Sequence, residues 1–177
     1  GQLPEGEVLV VGSVDDVRKL DVLPGTTLAY TTQTTLSVDE TKDIIQELQN
    51  RFPKIAGPSR GDLCYATTNR QSAVRNMAPE VDVLLVIGSR SSSNTNRLRE
   101  LGEKLGIASY LIDSAEEVDP AWFREAKTIG ITSGASAPER LVQELVEHIQ
   151  KLHPGTTVET WDGVSENVRF PLPKELV

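Results

Sequence analysis

Cysteine is almost missing from this chain: Cys64 is the single one in 177 residues. That excludes an intrachain disulfide framework and fits a reducing, cytoplasmic location. It equally excludes a metal site built from several cysteines of this chain alone. Long apolar runs are missing too. The longest stretch, Val81 to Ile87, is broken by Asp82 and is strand-sized, far below the roughly 20 residues that span a bilayer, so no membrane partner is expected. Basic charge is scarce: 18 Lys and Arg stand against 26 Asp and Glu, a net charge of −8 with no basic stripe. Nucleic-acid partners need clustered cations and are not expected. The opening residues lack the positive region and apolar core of a secretory signal, and the chain begins at Gly1 rather than Met; this start reads as a tag remnant or an excised segment. Neither low-complexity tracts nor strict repeats occur.

What is present is an alternation of short β-branched runs and amphipathic runs, the signature of an α/β fold. Strands are predicted at Val8–Val11, Leu28–Thr32, Val83–Ile87, Ser109–Ile112 and Thr128–Ile131, with short tail strands at Val158–Trp161 and Asn167–Phe170. Helical spacing places Ile44, Ile45, Leu48 and Phe52 on one face, and likewise Leu98, Leu101 and Leu105. The longest apolar stripe runs from Leu141 to Leu152 and stops near Pro154–Gly155. Capping boxes are predicted at Ser37/Glu40, Thr68/Gln71, Ser114/Glu117 and Ser136/Glu139. Trp122 and Phe123 read as packing residues, and Trp161 as packing the tail onto the body. A boundary is expected in the Pro/Gly/Arg-containing stretch Ile55 to Asp62. The chain therefore divides into residues 1–62, residues 63–154 and a tail, 155–177: two consecutive α/β units with mainly parallel sheets and a C-terminal extension.

Three predicted strands run into loops of small hydroxyl and amide residues that open a helix. They are Tyr30-Thr31-Thr32-Gln33-Thr34-Thr35, Gly88-Ser89-Arg90-Ser91-Ser92-Ser93-Asn94 and Thr132-Ser133-Gly134-Ala135-Ser136. In parallel sheets ligands bind beyond the carboxyl ends of the strands, where helix N-termini present unpaired N–H groups. Ser, Thr and Asn side chains would complete a neutral cradle for a phosphate or diphosphate. The plainer reading is that each turn only caps its helix, since these are the preferred N-cap residues. The run Ser91 to Asn94 is longer than a cap requires. Cys64 has two readings as well. Thiols at helix N-termini are favoured as metal-ligating thiolates, whereas a lone cysteine is commonly a small buried hydrophobe. His148 and His153 read as residues meeting the negative end of the last helix.

The segments TTQTTLSVDET, CYATTNRQ, GSRSSSNTNRL and ITSGASAP, with the ending PKEL, resemble in order and spacing the 4-hydroxy-3-methylbut-2-enyl diphosphate reductases, the IspH/LytB family. CYATTNRQ is especially specific, because no general structural rule demands it. The resemblance implies a parent of three α/β units around a 4Fe-4S cluster held by three cysteines, with Cys64 similar to the third. Thr34 resembles the hydroxyl that approaches the substrate's alcohol end, with Gln33 and Thr35 beside it. Ser92, Ser93, Asn94 and Ser136 resemble the diphosphate-binding set. The implied reaction is reductive removal of the allylic hydroxyl of 4-hydroxy-3-methylbut-2-enyl diphosphate. It gives isopentenyl and dimethylallyl diphosphates, with two electrons from a ferredoxin- or flavodoxin-type donor. Physically, an open iron would serve as Lewis acid and electron conduit.

Two of the family's cluster cysteines, its substrate-binding histidines and the glutamate regarded as its proton source have no matching motif here. The expectation is therefore the carboxy-terminal part of the reductase: part of the second unit, all of the third, and the tail, inactive alone. A non-catalytic phosphate- or diphosphate-binding module is the alternative. An interaction subunit completed by a separately encoded amino-terminal chain is the third reading.

Overall fold

The computed structural model describes residue 4, residues 6–58 and residues 64–161. Its centre is a parallel sheet of three strands, β1 (Val83–Ile87), β2 (Ala108–Ile112) and β3 (Ile129–Ser133), in the order β2-β1-β3. Each edge strand pairs with β1 over its full length, Val83 opposite Ala108 and Ile129, Ile87 opposite Ile112 and Ser133. β1 is buried at every position, which explains its unbroken apolar sequence: a central parallel strand is covered on both faces. Leu84 and Val86 face Val74 and Met77 of α3 (Tyr65–Met77) and Leu98 of α4 (Ser93–Lys104). Val83, Leu85 and Ile87 face Leu145 and Ile149 of α5 (Glu139–Leu152). Each such side chain contributes about 1.5–3 kcal/mol by leaving water.

Two local features fix the sheet's geometry. A Cβ on Gly102 of α4 would lie 2.2 Å from Ser109 Oγ and 2.7 Å from Leu84 Cδ2, so glycine lets this helix sit close on β1 and β2. At the other end, Asp82 Oδ2 accepts hydrogen bonds from Lys127 N (2.7 Å) and Thr128 N (3.0 Å), holding the entry to β3 beside the entry to β1.

The preceding part of the chain carries α1 (Val14–Lys19) and α2 (Val38–Arg51). Arg51 donates to the carbonyls of Val17 and Leu20, and Arg18 Nε bonds Glu47 Oε1 at 2.9 Å, which ties α1 to α2. The buried Gln71 carboxamide joins this part to the sheet body, donating to Leu36 O (3.0 Å) and accepting from Val38 N (3.2 Å). Arg75–Asp39 (2.6 Å) and Lys104–Glu40 ion pairs lie alongside.

Three of the predicted strands are present: Val83–Ile87 as expected, Ser109–Ile112 starting one residue earlier at Ala108, and Thr128–Ile131 shifted to Ile129–Ser133. The two early strands are corrected. Val8–Val11 is not a strand, and Leu28–Thr32 contributes only an isolated parallel bridge between Ala29 and Ala56. A strand exists only where a neighbour completes its ladder, and no described segment offers one. Val8, Leu9 and Val10 are accordingly 58%, 53% and 90% exposed. Val158–Trp161 is not a strand either, and Trp161 is exposed rather than packed on the body. Asn167–Phe170 lies outside the described residues.

Of the predicted capping boxes, Ser37 caps α2 as expected. Thr68 does not start a helix: α3 begins earlier, with Cys64 as its N-cap, and Thr68 Oγ1 donates to Cys64 O. Ser114 precedes only a short 3-10 turn, Ala115–Glu117, without a side-chain cap bond. Ser136 does not cap α5, whose N-cap is Pro138 with ψ 138°, outside the helical range; Ser136 stays in the loop before it.

Candidate diphosphate site at the carboxyl ends of the strands

β1 ends in Gly88, which has φ +144°, a backbone region L side chains rarely adopt. Its N–H donates to Ile112 O at 2.9 Å, and Gly134 N donates to Ile87 O at 3.0 Å. The three strand ends are thereby held side by side just where their loops depart. Thr95, in the first turn of α4 and 1% exposed, fills the space between the β1 and β3 loops. A Cβ on Gly88 would lie 3.1 Å from Thr95 Oγ1, and one on Gly134 only 2.4 Å from it. Both loops can approach Thr95 only as glycines.

A cavity of about 260 Å³ opens between these loops. The β1 loop lines it with Gly88 and Ser89, α4 with Thr95, and the end of β2 with Asp113. Ser136, Ala137, Pro138 and Leu141 form the wall from the β3 loop and α5. The serine loop is ordered by its own side chains. Ser89 and Ser91 hydroxyls bond at 2.8 Å, and Asn96 Nδ2 donates to Arg90 O (2.7 Å) and Ser92 O (2.9 Å). Arg90 N donates to Asp113 Oδ1 at 3.1 Å while its guanidinium pairs with Asp113 and Glu117.

The sequence-predicted residues divide as follows. Ser136 lines the cavity. Ser92 is the N-cap of α4, its Oγ accepting from Thr95 N at 3.4 Å, and Ser93 is the exposed first residue of that helix. Asn94 is 5% exposed, yet neither Oδ1 nor Nδ2 has a hydrogen-bond partner among the described residues. A buried amide left unpaired costs about 1–3 kcal/mol, so this group calls for an explanation that packing does not supply. Thr34 is exposed and reaches Cys64 through the backbone, Thr34 O accepting from Cys64 N at 3.1 Å. Cys64 is half-buried, and its thiol makes no cap hydrogen bond. One thiol fits one ligand position of an iron–sulfur cluster. Among the described residues no group of three or more His, Cys, Asp or Glu is arranged to hold a metal. With a single cysteine in the whole sequence, the chain's own residues do not fit the complete cluster.

Sequence reasoning missed Thr95, Asp113 and Arg70. Thr95 reads along the chain as one more cap-type residue. Asp113 could have been found as the first polar residue after an apolar strand. Arg70, on α3, donates from Nη1 to Ser133 Oγ at 3.1 Å across 63 residues of sequence, and nothing local announces that meeting.

Comparison with known proteins bears on the family and the fold. The family model described as LytB protein matches residues 1–150. The chain is 54% identical over 171 residues to a 4-hydroxy-3-methylbut-2-enyl diphosphate reductase of Aliivibrio salmonicida, covering 97% of this chain and 54% of that protein. It is also 54% identical over 176 residues to 4-hydroxy-3-methylbut-2-enyl diphosphate reductase 1 of Rhodopseudomonas palustris, covering 99% and 57%. The solved structure of the E-1-hydroxy-2-methyl-but-2-enyl-4-diphosphate reductase from Plasmodium falciparum superposes with a TM-score of 0.86 at 37% identity, over 93% of this chain and 52% of that one. The chain thus spans about half the length of the relatives it matches, and it belongs to the LytB family.

Proposed function

We propose that the chain is the carboxy-terminal portion of a 4-hydroxy-3-methylbut-2-enyl diphosphate reductase, a reductase of isoprenoid biosynthesis, and that its strand-end loops hold the substrate's diphosphate. The observation that carries this reading is Asn94, a buried amide in the first turn of α4 with both polar atoms unpaired among the described residues. In this reading Ser92 and Ser93 from the β1 loop and Ser136 from the β3 loop add hydroxyls, and the N-terminus of α4 adds its partial positive charge. Anchoring the diphosphate there would fix the direction in which the alcohol end extends, and in this reading Thr34, tied to Cys64 through the Cys64 N to Thr34 O bond, approaches that end.

In this proposal residues 1–62 complete a second α/β unit, residues 63–154 form a third, and residues 155–177 are a tail. Cys64 supplies one thiolate to the parent's 4Fe-4S cluster. The reducing electrons come from a ferredoxin- or flavodoxin-type donor, and the protein works in the cytoplasm. The isolated chain binds the diphosphate but does not turn over.

The test is calorimetric titration of the chain with inorganic diphosphate. Saturable binding, weakened about tenfold or more in Asn94→Ala, is expected from the loss of hydrogen bonds to a charged ligand. Absence of binding, or equal affinity in the variant, overturns the reading. A non-catalytic diphosphate-binding module is the second reading, favoured by loops that are closed by their own side-chain bonds. Reductase activity of the parent containing Cys64, lost in its Cys64→Ala variant, would eliminate it.

A further inference from the structure

Gln71 sits on the buried face of α3, one turn from Thr67 on one side and from Val74 on the other, and is itself 2% exposed. A carboxamide at such a position is stable only when both of its ends are bonded. Its partners lie 33 and 35 residues away in the chain: Oε1 accepts from Val38 N at 3.2 Å, and Nε2 donates to Leu36 O at 3.0 Å. Val38 is the first residue of α2, where a helix leaves N–H groups without partners of its own. The amide thus straddles Ser37, the N-cap of α2, with one bond of each polarity. A slipped loop would set donor against donor or acceptor against acceptor, so the pair of bonds admits one register.

Cys64, the N-cap of α3, stands two turns before Gln71, and positions seven apart share a face of a helix, roughly 10 Å from one another. Its N–H donates to Thr34 O at 3.1 Å. The segment from Thr34 to Val38 is therefore tied along one side of α3 at both ends, to Cys64 and to Gln71. The Arg75–Asp39 pair extends the contact by a further turn at 2.6 Å, but Asp39 is 69% exposed, so water screens it. The buried amide is the stronger constraint. We infer that Gln71 is a positioning residue: it sets the register of the Thr34 loop on α3 and hence the place of Thr34 relative to Cys64. The inference rests on the reading above, in which Thr34 approaches the substrate's alcohol end. A slip of one residue moves the backbone by about 3.8 Å, and a misplacement of about 1 Å already costs large factors in rate.

Amide hydrogen exchange, read residue by residue, tests the register on the unaltered chain, Gln71→Met, Gln71→Glu and Arg75→Met. In Gln71→Met the Cys64 N–H should exchange about tenfold or more faster while the amides of β1 keep their rates. Gln71→Glu retains the acceptor for Val38 N but not the donor to Leu36 O, and should accelerate Cys64 N–H by less. Arg75→Met should leave it within about twofold. Unchanged exchange at Cys64 in Gln71→Met, or equal acceleration in Arg75→Met or throughout β1, means that Gln71 only fills the core, and overturns the inference. If Gln71→Met does not fold, Gln71→Glu decides: faster exchange at Cys64 with β1 unchanged supports the inference, and an unchanged rate overturns it. In the full-length reductase proposed above, Gln71→Met should lower kcat about tenfold or more with KM within about twofold, because the diphosphate is anchored elsewhere. Retained kcat, with or without a raised KM, overturns the positioning role. Inactivity of the unaltered reductase overturns the functional reading and this inference with it, a failure that the exchange rates distinguish from a Gln71 that positions nothing.

Discussion

Asn94 is the residue at which stability and ligand binding pull apart. Its amide is buried without partners among the described residues, a state costing about 1–3 kcal/mol that folding alone gives no reason to retain. Asn94→Ala should therefore leave the urea unfolding free energy unchanged or raise it by up to about 1 kcal/mol, since alanine also favours the helix. A fall of more than about 2 kcal/mol in that measurement would mean the amide is structurally satisfied after all. The run Ser91 to Asn94 was legible in the sequence because it is longer than helix capping asks for, whereas Ser136 joins it only through the family resemblance. Thr95 was not, since its value lies in the two glycines it packs between. Arg70 was not, because its partner Ser133 is 63 residues away in the chain. Side chains that act locally announce themselves in sequence; those that act through a distant contact need the fold.

At the level of elements, the clamp at the entry to the sheet is open to titration. Two backbone hydrogen bonds, from Thr128 and then Lys127, hold the Asp82 carboxyl below the ordinary aspartate value of 3.8. A carboxyl depressed in the folded state contributes stability that is present above its unfolded value and lost as pH falls through the folded one. Urea unfolding midpoints should therefore drop on acidification below that value, and Asp82→Asn should show a shallower drop because its amide oxygen accepts without titrating. Identical acid slopes in the two proteins would show that the clamp is not linked to folding. The elements themselves were legible where the sheet is complete. β1 announces itself as a continuous apolar run and α5 as a stripe ending at Leu152. The reading failed at Val8–Val11 and Leu28–Thr32, where β-branched sequence exists without a neighbouring strand among the described residues. Helix starts failed where a serine or threonine lay within reach of a better-placed terminus, as Pro138 overrode Ser136 and Cys64 overrode Thr68.

For the whole molecule, the single cysteine limits what the chain does by itself. Anaerobic reconstitution with iron and sulfide should leave negligible iron on the purified chain and on Cys64→Ala alike, because one thiolate does not hold a cluster. Stoichiometric iron that disappears in Cys64→Ala would mean that other groups, from a second copy or another chain, complete the site. The family was legible in short strings such as CYATTNRQ, whereas the division of labour between the two parts of the chain was not. The first part carries helices and an isolated bridge, and the ordered sheet lies wholly in the second. That asymmetry comes with its own optical signature. Trp122 stacks on Tyr110 of the edge strand β2 with ring centroids 4.0 Å apart and planes 3° from parallel. The second tryptophan, Trp161, is exposed near the end of the described chain. Stacked aromatic transitions couple and exposed ones do not, so near-ultraviolet circular dichroism registers the integrity of β2, while red-shifted emission registers Trp161. The protein thus carries a label-free spectroscopic reporter of the element whose end lines the cavity.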